Sequence, residues 1–572
     1  MIQALEQALS AAMDSLGLEL PEGFQIKVDS AADLRFGDYQ SNAAMVLAKR
    51  LKQNPRDLAT QVVDALELDD LATADIAGPG FINFRITHAA WEKLLASLLS
   101  DDRLGVPLAS PSQNIVVDFS APNVAKPMHV GHIRSTIIGD SLARIARFLG
   151  HNVITDNHIG DWGTQFGMII HGWKTVLNEA DLQADPVAEL LRVYRAVNAQ
   201  CGDDEAVRDV CKQELVKLQS GDAENLAIWE KCVELSKQGL QGIYDRLDVS
   251  FDYWYGESFY NDRLAPLVDD MLEKGVARES EGAVCVFFDE VKKLQDKPTI
   301  VRKADGGFLY ATTDLATIDF RVEQWQADQI WYVVGAPQQL HFQQIFEATK
   351  MRGLTPQMQH VSFGSILGED RKLMKTRSGD NVQLVDVLDE AIERAAKAIE
   401  EKNPSMEAEE KAQVAVTVGI GAVKFAELSQ HRMTDYVFSW DRMLALQGDT
   451  APYLQYSYVR VRSIFRKLAD LENNILLDFD NLQISEDAEV HLSRMLMRFS
   501  ETVPALLDDF RPNLLANYLL ELAKAFHSFF EACPVLKSEG QTQNTRLVLC
   551  ELTSRVLQKG LGLLGIDVPE RM

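Results

Sequence analysis

The chain has 572 residues, 46% of them hydrophobic and 25% charged, which is the composition of an ordinary soluble globular protein with more than one core. It contains no run of 18 or more apolar residues, and its N-terminus lacks the features of a signal peptide, so we expect a cytoplasmic protein without a membrane span. The net charge of −27 by itself argues against a nucleic-acid partner, but local basic patches decide such contacts, so composition leaves the partner open.

Residues 1–110 are predicted to form a small α+β domain. The pattern predicts a helix over about 2–16, a second helix that begins near Asn42, and an apolar strand over 80–86. Residues 105–112 contain the proline and serine that are typical of a linker.

Strand–helix alternation begins at Asn114 and indicates an α/β fold with a parallel sheet. The pattern predicts a strand over 115–119, a loop over 120–128, a helix over 133–150 and a second strand over 151–155. Sheets of this kind bind their ligands at the carboxyl ends of the strands, so the loop after the first strand is where a site is expected.

The rest of the chain is mostly helical in pattern. Residues 173–248 are acidic and almost purely helical, which indicates an insertion between sheet elements. Sheet-like segments resume at 284–288, 308–310 and 329–334. From about residue 400 to the end the periodicity is helical throughout and predicts a bundle.

The cysteines show neither a disulfide framework nor a metal site. None forms a CxxC pair, and none has histidines at ligand spacing. We therefore predict no protein-bound metal and expect most cysteines to be small buried hydrophobic residues. The chain has six: Cys201, Cys211, Cys232, Cys285, Cys533 and Cys550.

The loop between the first predicted strand of the sheet and its helix carries the groups that suit a triphosphate. Gly131 lets the backbone approach a ligand, and the helix N-terminus behind it favours anions. His129 and His132 can donate hydrogen bonds to phosphate oxygens, and Lys126 adds a positive charge. The alternative is an ordinary helix start with a structural glycine and two surface histidines.

Several segments resemble one enzyme family. His129-Val130-Gly131-His132 is similar to the HIGH signature of class I aminoacyl-tRNA synthetases, and the longer segment 120–136 resembles the arginyl-tRNA synthetase version, of bacterial type. The resemblance continues to the last residue. It includes Gly160–Gly167 (GDWGTQFG), Tyr310–Asp314 (YATTD), Gln338-x-x-His341-Phe342 and Gly448–Tyr456 (GDTAPYLQY).

This resemblance implies a ligase that joins arginine to tRNA(Arg) at the expense of ATP, which enters as its Mg²⁺ complex. It implies a tRNA D-loop-recognition domain over 1–110, a Rossmann-type catalytic domain over 111–399 with a helical insertion at about 173–250, and an all-helical anticodon-binding domain over 400–572. It also implies that bound tRNA is needed before arginine is activated. Because the sequence shows no sustained heptad pattern, we expect a monomer.

The arginine side chain is best bound by planar carboxylate and carbonyl acceptors, because its guanidinium carries five hydrogen-bond donors in one plane. The resemblance assigns this reading to four residues: Asp118, Tyr310, Asp314 and Gln338. It places two further residues, Asn123 and His129, nearer the α-groups of arginine. Asp118 ends a predicted strand and Asp314 follows one, so we expect both in one crevice at the carboxyl edge of the sheet.

Two of these assignments have open alternatives. Asp314 could instead be a helix N-cap, because Thr312-Thr313-Asp314 precedes a helical pattern. Glu257 is a weaker candidate for an arginine contact, and a surface loop acid is an equally good interpretation.

The second class I signature, KMSKS, is degenerate in this chain. Residues 371–379 (RKLMKTRSG) resemble a variant in which Leu373 stands where the first lysine should be. The loop still carries cations that could stabilise the negative charge of the departing pyrophosphate: Lys372, Lys375 and Arg377. Lys126 could reach the same phosphates from the other side of the site. The alternatives are a charged surface loop and, for Lys126, a contact with the tRNA acceptor end or plain solvation.

Residues for tRNA are expected in both terminal regions. Tyr456 and Arg460 combine an aromatic ring and a cation near helical spacing, as phosphate-binding helices do. The resemblance places Phe530 and Met572 at the anticodon, and Phe81 and Asn83 at the D-loop. The alternatives are an arginine-rich surface face for the helix and a core position for Phe81.

Two other functions remain open at this point. One is a small-molecule nucleotidyltransferase that shares the HIGH loop, against which the N-terminal domain and the long helical C-terminal region argue. The other is a non-catalytic tRNA-binding paralogue, against which the intact His129, His132, Asp118, Tyr310 and Asp314 argue.

Overall fold

A computed structural model describes residues 1–31, 33–368, 370–372, 374, 382–470, 477–478 and 481–572. Of the predicted signature-loop residues, Leu373, Lys375 and Arg377 lie outside the described residues. Among the helices in the described ranges, none combines the length and apolar character needed to cross a membrane.

Within the described ranges, strands and helices alternate along the first two thirds of the chain and helices dominate the rest. The strands are β1 (Asp29–Ser30), β2 (Tyr39–Ser41), β3 (Ala72–Ala77), β4 (Phe81–Ile86), β5 (Asn114–Phe119), β6 (Asn152–Asp156), β7 (Ala277–Ser280), β8 (Ala283–Val286), β9 (Thr299–Arg302), β10 (Gln329–Val333), β11 (Gln357–His360), β12 (Ile366–Leu367) and β13 (Tyr436–Val437).

The helices in the same ranges are α1 (Ile2–Ser15), α2 (Ala43–Leu51), α3 (Pro55–Asp64), α4 (His88–Ser100), α5 (Val130–Phe148), α6 (Gln165–Thr175), α7 (Glu179–Ala184), α8 (Pro186–Asp203), α9 (Glu205–Gln219), α10 (Ala223–Arg246), α11 (Asn261–Glu273), α12 (Tyr310–Trp325), α13 (Gln339–Met351), α14 (Leu384–Lys402), α15 (Ala408–Leu428), α16 (Trp440–Met443), α17 (Ala451–Asp470), α18 (Asp487–Ala505), α19 (Pro512–Ala532) and α20 (Gly540–Leu563). Short 3-10 turns cover Leu34–Phe36, Glu257–Tyr260 and Ala336–Gln338.

The described residues form two compact units. The first comprises Met1–Val106, Arg460–Glu501 and Leu520–Leu557, and the second comprises Pro107–Val459, Thr502–Leu519 and Gln558–Met572. The division into three domains at 110 and 399 stays a prediction.

The first unit contains an antiparallel sheet in the order β1–β2–β4–β3, which confirms the α+β prediction for the N-terminal region. Strand β4 lies between β2 and β3, and Ile82 and Phe84 on it are fully buried. On this strand the buried Ile82, Phe84 and Ile86 alternate with the polar Asn83 and Arg85, which is the pattern of an antiparallel strand with one face on the core.

The second unit contains a parallel sheet in the order β11–β10–β5–β6, so the predicted α/β fold class is confirmed. Strands β5, β6 and β10 match the predicted segments to within a residue or two. In register, Asp118 on β5 lies opposite Tyr332 on β10 and Asp156 on β6. The carboxyl ends of these strands therefore meet at one edge, where the site is expected.

The helical insertion predicted over about 173–250 is also confirmed, because helices α7 to α10 fill most of it. Each of these helices begins after an acid or amide that caps it. The side chains of Asn178, Asp185, Asp204 and Asp222 each accept a hydrogen bond from a backbone N–H in the first turn of the helix that follows. Such caps typically stabilise a helix by about 1 kcal/mol each, and they explain part of the acidic composition of the insertion.

Two predictions about secondary structure, one of a strand and one of a helical region, are wrong. The segment 308–310 is not a strand, because Phe308 forms only an isolated bridge with Arg302 and Tyr310 begins helix α12. A short apolar and aromatic run does not distinguish a strand from a helix start. The region after residue 400 is not helical throughout, because β13 pairs in parallel with β12.

All six cysteines are buried, as expected for most of them, and each is a free thiol. The predicted strand over 284–288 corresponds to β8, which belongs to a separate antiparallel sheet, β7–β8–β9, and not to the parallel one.

Candidate active site

A cavity of about 560 Å³ opens at the carboxyl ends of β5, β6 and β10 in the second unit. It brings together most of the residues predicted to bind arginine and part of the predicted nucleotide loop. The predicted residues that line it are Asp118, Asn123, Gly131, His132, Glu257, Tyr310, Asp314 and Gln338.

The HIGH segment forms the start of helix α5, which begins three residues earlier than predicted. His129 is the N-cap, and its Nδ1 accepts a hydrogen bond from the backbone N–H of Gly131 at 3.0 Å. The backbone N–H of His129 in turn donates to Nδ1 of His132 at 3.1 Å. The two histidines thus satisfy backbone donors at the helix N-terminus, as the structural interpretation of a helix start predicts, but both are half-buried and not surface residues.

The same hydrogen bonds fix what the histidines can offer a ligand. Burial lowers the pKa of His129, and burial together with the neighbouring His129 lowers the pKa of His132 to about 4. Both imidazoles are therefore neutral near pH 7. Because each Nδ1 accepts a hydrogen bond, each proton resides on Nε2, so the two rings can act as neutral Nε2–H donors.

Gly131 is required by the packing of this turn. A Cβ atom at this position would lie 2.8 Å from Cε1 of the His129 ring. A larger residue would therefore displace the histidine that caps the helix. The glycine also leaves the helix N-terminus open toward the cavity, where an anion is favoured.

The loop before the helix holds an unusual backbone. Ser120, Ala121 and Ala125 have positive φ angles of 72°, 46° and 61°. Non-glycine residues in this region cost about 1–2 kcal/mol each, so their surroundings must hold them there. Part of that support comes from Ser120, whose backbone N–H donates to Oγ of Ser135 at 2.8 Å and whose Oγ lies 2.7 Å from the hydroxyl oxygen of Tyr244.

Asp118 already has a cationic partner. One of its oxygens, Oδ2, accepts a hydrogen bond from Nη2 of Arg321 at 2.6 Å, and the same nitrogen lies 2.8 Å from Asp156. Arg321 is fully buried and Asp118 is 5% exposed. The chain therefore supplies a guanidinium of its own beneath the cavity.

Asp314 lies neither after a strand nor at a helix N-cap, so both predictions for its local structure are wrong. The N-cap of α12 is Leu309, and Asp314 is the fifth residue of the helix. Its side chain still reaches the cavity, as predicted, and its Oδ2 contacts Nε2 of His341.

Glu257 is a cavity residue and not a surface loop acid. It begins the 3-10 turn Glu257–Tyr260, and its carboxyl group has no hydrogen-bond or ion-pair partner among the described residues. Burial, reinforced by the nearby Asp314 and Asp161, raises the pKa of Glu257 to about 8. An unpaired acid of this kind is ready to receive a cation.

The turn that carries Glu257 is anchored by the GDWGTQFG segment. Asp161 accepts hydrogen bonds from the backbone N–H and the hydroxyl group of Ser258, at 2.8 and 2.7 Å. A Cβ atom at Gly256 would lie 2.3 Å from the Asp161 carboxyl carbon, so the close approach requires glycine. From the sequence alone this segment was identified only as similar to a family motif, and no role was predicted for Asp161.

The two predicted phosphate-binding lysines that lie within the described ranges, Lys126 and Lys372, are not brought into the cavity. Lys126 is exposed, and its Nζ lies 5.4 Å from the ring centroid of Tyr194. It lines a second cavity, of about 650 Å³, between the loop and helices α8 and α10. Lys372 is exposed and does not line the first cavity.

The predicted tRNA residues fall in different surroundings. Tyr456 is 46% exposed, as a contact residue would be. In the first unit, the guanidinium carbon of Arg460 lies 4.5 Å from the ring centroid of Phe530. In the second unit, the half-buried Met572 packs against an apolar cluster of α14 and α15 that includes Ile399 and Val414.

The N-terminal pair on β4 is more buried than a contact with RNA suggests. Phe81 is half-buried, whereas Asn83 is only 3% exposed. The amide nitrogen of Asn83 donates to Asp75 Oδ1 at 3.1 Å on the neighbouring strand.

Models of known families match the chain from end to end. The model described as the arginyl tRNA synthetase N terminal domain matches residues 1–86, that of the catalytic domain of class I (R) tRNA synthetases matches 94–440, and that of the DALR anticodon binding domain matches 454–572.

Individual proteins give the same result. The arginine–tRNA ligase of Thermobifida fusca (strain YX) is 47% identical over 550 residues, which cover 94% of each chain. That of Aliivibrio fischeri (strain MJ11) is 46% identical over 581 residues, which cover both chains completely. The crystal structure of arginyl-tRNA synthetase from Plasmodium falciparum matches with a TM-score of 0.82 at 28% identity, over 100% of this chain and 99% of that one. With a catalytic-domain model over most of its length and relatives that align from end to end, the chain belongs to the arginyl-tRNA synthetases of class I.

Proposed function

We propose that the cavity at the carboxyl ends of β5, β6 and β10 is where this arginine–tRNA ligase activates arginine. The observation that carries this proposal is the convergence of three acidic side chains, those of Asp118, Glu257 and Asp314, on one cavity beside the N-terminus of α5. The acids suit the guanidinium, and the helix N-terminus with its imidazole donors suits the phosphates of ATP.

Arginine lies in the acidic part of the cavity. Its guanidinium meets Asp118, Glu257 and Asp314, with Tyr310 and Gln338 as further polar partners. Of the three acids, Glu257 gains most from an ion pair with the guanidinium, because it is the one without a partner of its own in the described part of the chain. Asn123 and His129 lie nearer the α-amino and carboxylate groups of the substrate.

ATP enters as its Mg²⁺ complex and lies with its phosphates toward the start of α5. The open backbone at Gly131 and the Nε2–H groups of His129 and His132 hold the phosphates. Lys126, Lys372, Lys375 and Arg377 remain the proposed cations for departing pyrophosphate, on the strength of the family resemblance alone.

The reaction then proceeds in two steps. The carboxylate of arginine attacks the α-phosphorus of ATP, which releases pyrophosphate and leaves arginyl-adenylate. A hydroxyl group of the terminal ribose of tRNA(Arg) next attacks the activated carbonyl carbon and releases AMP. The protein positions the reactants and stabilises the charge that develops, and the chemistry needs no protein nucleophile.

The tRNA is held by three proposed domains, over 1–110, 111–399 and 400–572. The match of the last part of the chain to an anticodon binding domain supports this division. Phe81 and Asn83 contact the D-loop, Tyr456 and Arg460 contact phosphates, and Phe530 and Met572 contact the anticodon. We further propose that the enzyme is a cytoplasmic monomer, which sedimentation of the chain and fractionation of its source cell test.

Aminoacylation of total tRNA with each radiolabelled amino acid tests the proposal. We expect charging with arginine alone, and a steep fall in kcat/KM for arginine when Asp314 is replaced by asparagine. A small-molecule nucleotidyltransferase would consume ATP without charging tRNA, and a non-catalytic paralogue would bind tRNA without consuming ATP.

A further inference from the structure

His341 and Asp314 form a contact at the wall of the cavity that no part of the proposed function uses. His341 lies in the first turn of α13, and its Nε2 contacts Oδ2 of Asp314 on α12. Both residues line the cavity, and their side chains are 26% and 22% exposed. The pair is therefore partly accessible from the cavity.

The turn that presents His341 is fixed by its neighbour. Phe342 is 4% exposed, and its ring centroid lies 4.9 Å from that of Tyr332 on β10 and 4.6 Å from that of His360 on β11. The parallel sheet thus holds the first turn of α13 in place. A histidine on such a turn can fix the direction of a carboxylate that would otherwise rotate about two bonds.

We propose that His341 is a positioning residue for arginine recognition. It donates from Nε2 to one oxygen of Asp314 and so directs the other oxygen toward the guanidinium of the substrate. The inference rests on the proposed function, in which Asp314 binds that guanidinium. It goes beyond the proposed function because it assigns the orientation of Asp314 to His341, a residue that does not itself bind the guanidinium.

The neighbouring acid Asp118 has a matching arrangement. Arg321 holds its Oδ2, as His341 holds Oδ2 of Asp314. Among the described residues, the second oxygen of each carboxylate has no hydrogen-bond partner. Two carboxylates that each offer one directed oxygen match the planar, forked donors of a guanidinium better than two freely rotating ones.

Three variants of His341 and Asp314 test the proposal in the full-length enzyme. His341→Ala removes the donor, and His341→Gln keeps an N–H donor near the position of Nε2. We expect His341→Ala to raise the KM for arginine by about 10- to 100-fold, the range expected for a hydrogen bond to a charged group, with little change in the KM for ATP. We expect His341→Gln to recover most of the loss. The control is His88→Ala, a substitution at an exposed histidine, which should have the same KM values as the wild-type enzyme.

The decisive measurement is a double-mutant cycle with Asp314→Asn. If His341 acts through Asp314, His341→Ala should cost almost nothing further in the Asp314→Asn background. An undiminished effect in that background would overturn the inference, as would equal rises in the KM for arginine and ATP accompanied by a lower Tm.

Failure of the inference and failure of the proposed function give different results. If Asp314→Asn raises the KM for arginine but His341→Ala does not, the site stands and the positioning role is wrong. If Asp314→Asn itself leaves the KM for arginine unchanged, the guanidinium site has been misassigned and the inference falls with it.

Discussion

Arg321 and Asp118 form a buried ion pair beneath the cavity, with Nη2 of the arginine 2.6 Å from Oδ2 of the aspartate. The same guanidinium lies 2.8 Å from Asp156, on the strand next to that of Asp118. Two carboxylates in register on adjacent strands would repel each other, and burial raises the pKa of Asp156 even with Arg321 beside it. Arg321 therefore allows Asp118 to stay in place with its second oxygen available to the substrate.

Replacing Arg321 with methionine should destabilise the protein strongly. The change keeps most of the side-chain volume but leaves two buried carboxylates without a counter-ion, which typically costs about 3–5 kcal/mol. Urea denaturation measures the free energy of unfolding. The control is Arg278→Met, whose partner Asp289 is exposed and whose loss should cost about 1 kcal/mol or less. Similar losses in the two variants would mean that the buried cluster has no special importance.

Glu257 should make arginine binding depend on pH. Burial and the nearby acids Asp314 and Asp161 raise its pKa to about 8, so near pH 7 its carboxyl group is protonated. A bound guanidinium favours the ionised form, so binding below pH 8 must release this proton. The affinity for arginine should therefore rise with pH, by up to about tenfold per pH unit below 8, and level off above it. Calorimetry in buffers of different ionisation enthalpy measures both the affinity and the proton release.

The variant Glu257→Gln separates this effect from other titrations. It should bind arginine more weakly and lose both the pH dependence and the proton release. Burial lowers the pKa of both His129 and His132, which moves their titration away from pH 8. A pH dependence that survives in Glu257→Gln would assign the effect to another group.

His132 should serve as both a helix cap and a phosphate donor, and two substitutions separate these roles. Asparagine can place its oxygen near the position of Nδ1, so His132→Asn keeps the acceptor for the His129 N–H and loses the Nε2–H donor. We expect a nearly unchanged Tm and a fall in the rate of adenylate formation of roughly 10²–10³. His132→Gln should keep a donor near Nε2 and lose the acceptor at Nδ1. We therefore expect it to lose about 1 kcal/mol of stability and to slow adenylate formation less than His132→Asn does. If the rate follows Tm in both variants, the histidine is only a cap.

The sequence located this site through residues that act locally. A short strand, a loop and a helix start predicted where His129, Gly131 and His132 would lie, because capping and close approach depend on neighbours in the chain. Arg321 and His341 act through contacts between elements far apart in sequence. The motif Gln338-x-x-His341-Phe342 included His341 but gave no role for it, and Arg321 was not singled out from the sequence. The one hint for Arg321 was its place on the apolar stripe of α12, three residues after the buried Ile318 and six after the buried Leu315. The local structure of Asp314 was mispredicted because YATTD has the composition of both a strand end and a helix cap.

Arg460 should contribute to tRNA binding as a charge held in place by an aromatic ring. Its guanidinium carbon lies 4.5 Å from the ring centroid of Phe530, and its Nη1 lies 3.1 Å from Nδ1 of His527. A cation on a ring can still meet a phosphate with its remaining donors. Arg460→Ala should therefore raise the KM for tRNA, leave the KM for arginine unchanged, and reduce the slope of log affinity against log salt by about 1.

The charge-preserving change Arg460→Lys distinguishes phosphate binding from packing. A lysine keeps a point charge but loses the flat face that stacks on Phe530. If the contact with tRNA is electrostatic, the lysine variant should keep the salt slope of the original enzyme and lose only part of its affinity. If Arg460 only packs on Phe530, both variants should lower Tm while the KM for tRNA and its salt dependence stay as they were. Filter binding of tRNA(Arg) over a range of salt concentrations, together with thermal melting, decides between these outcomes.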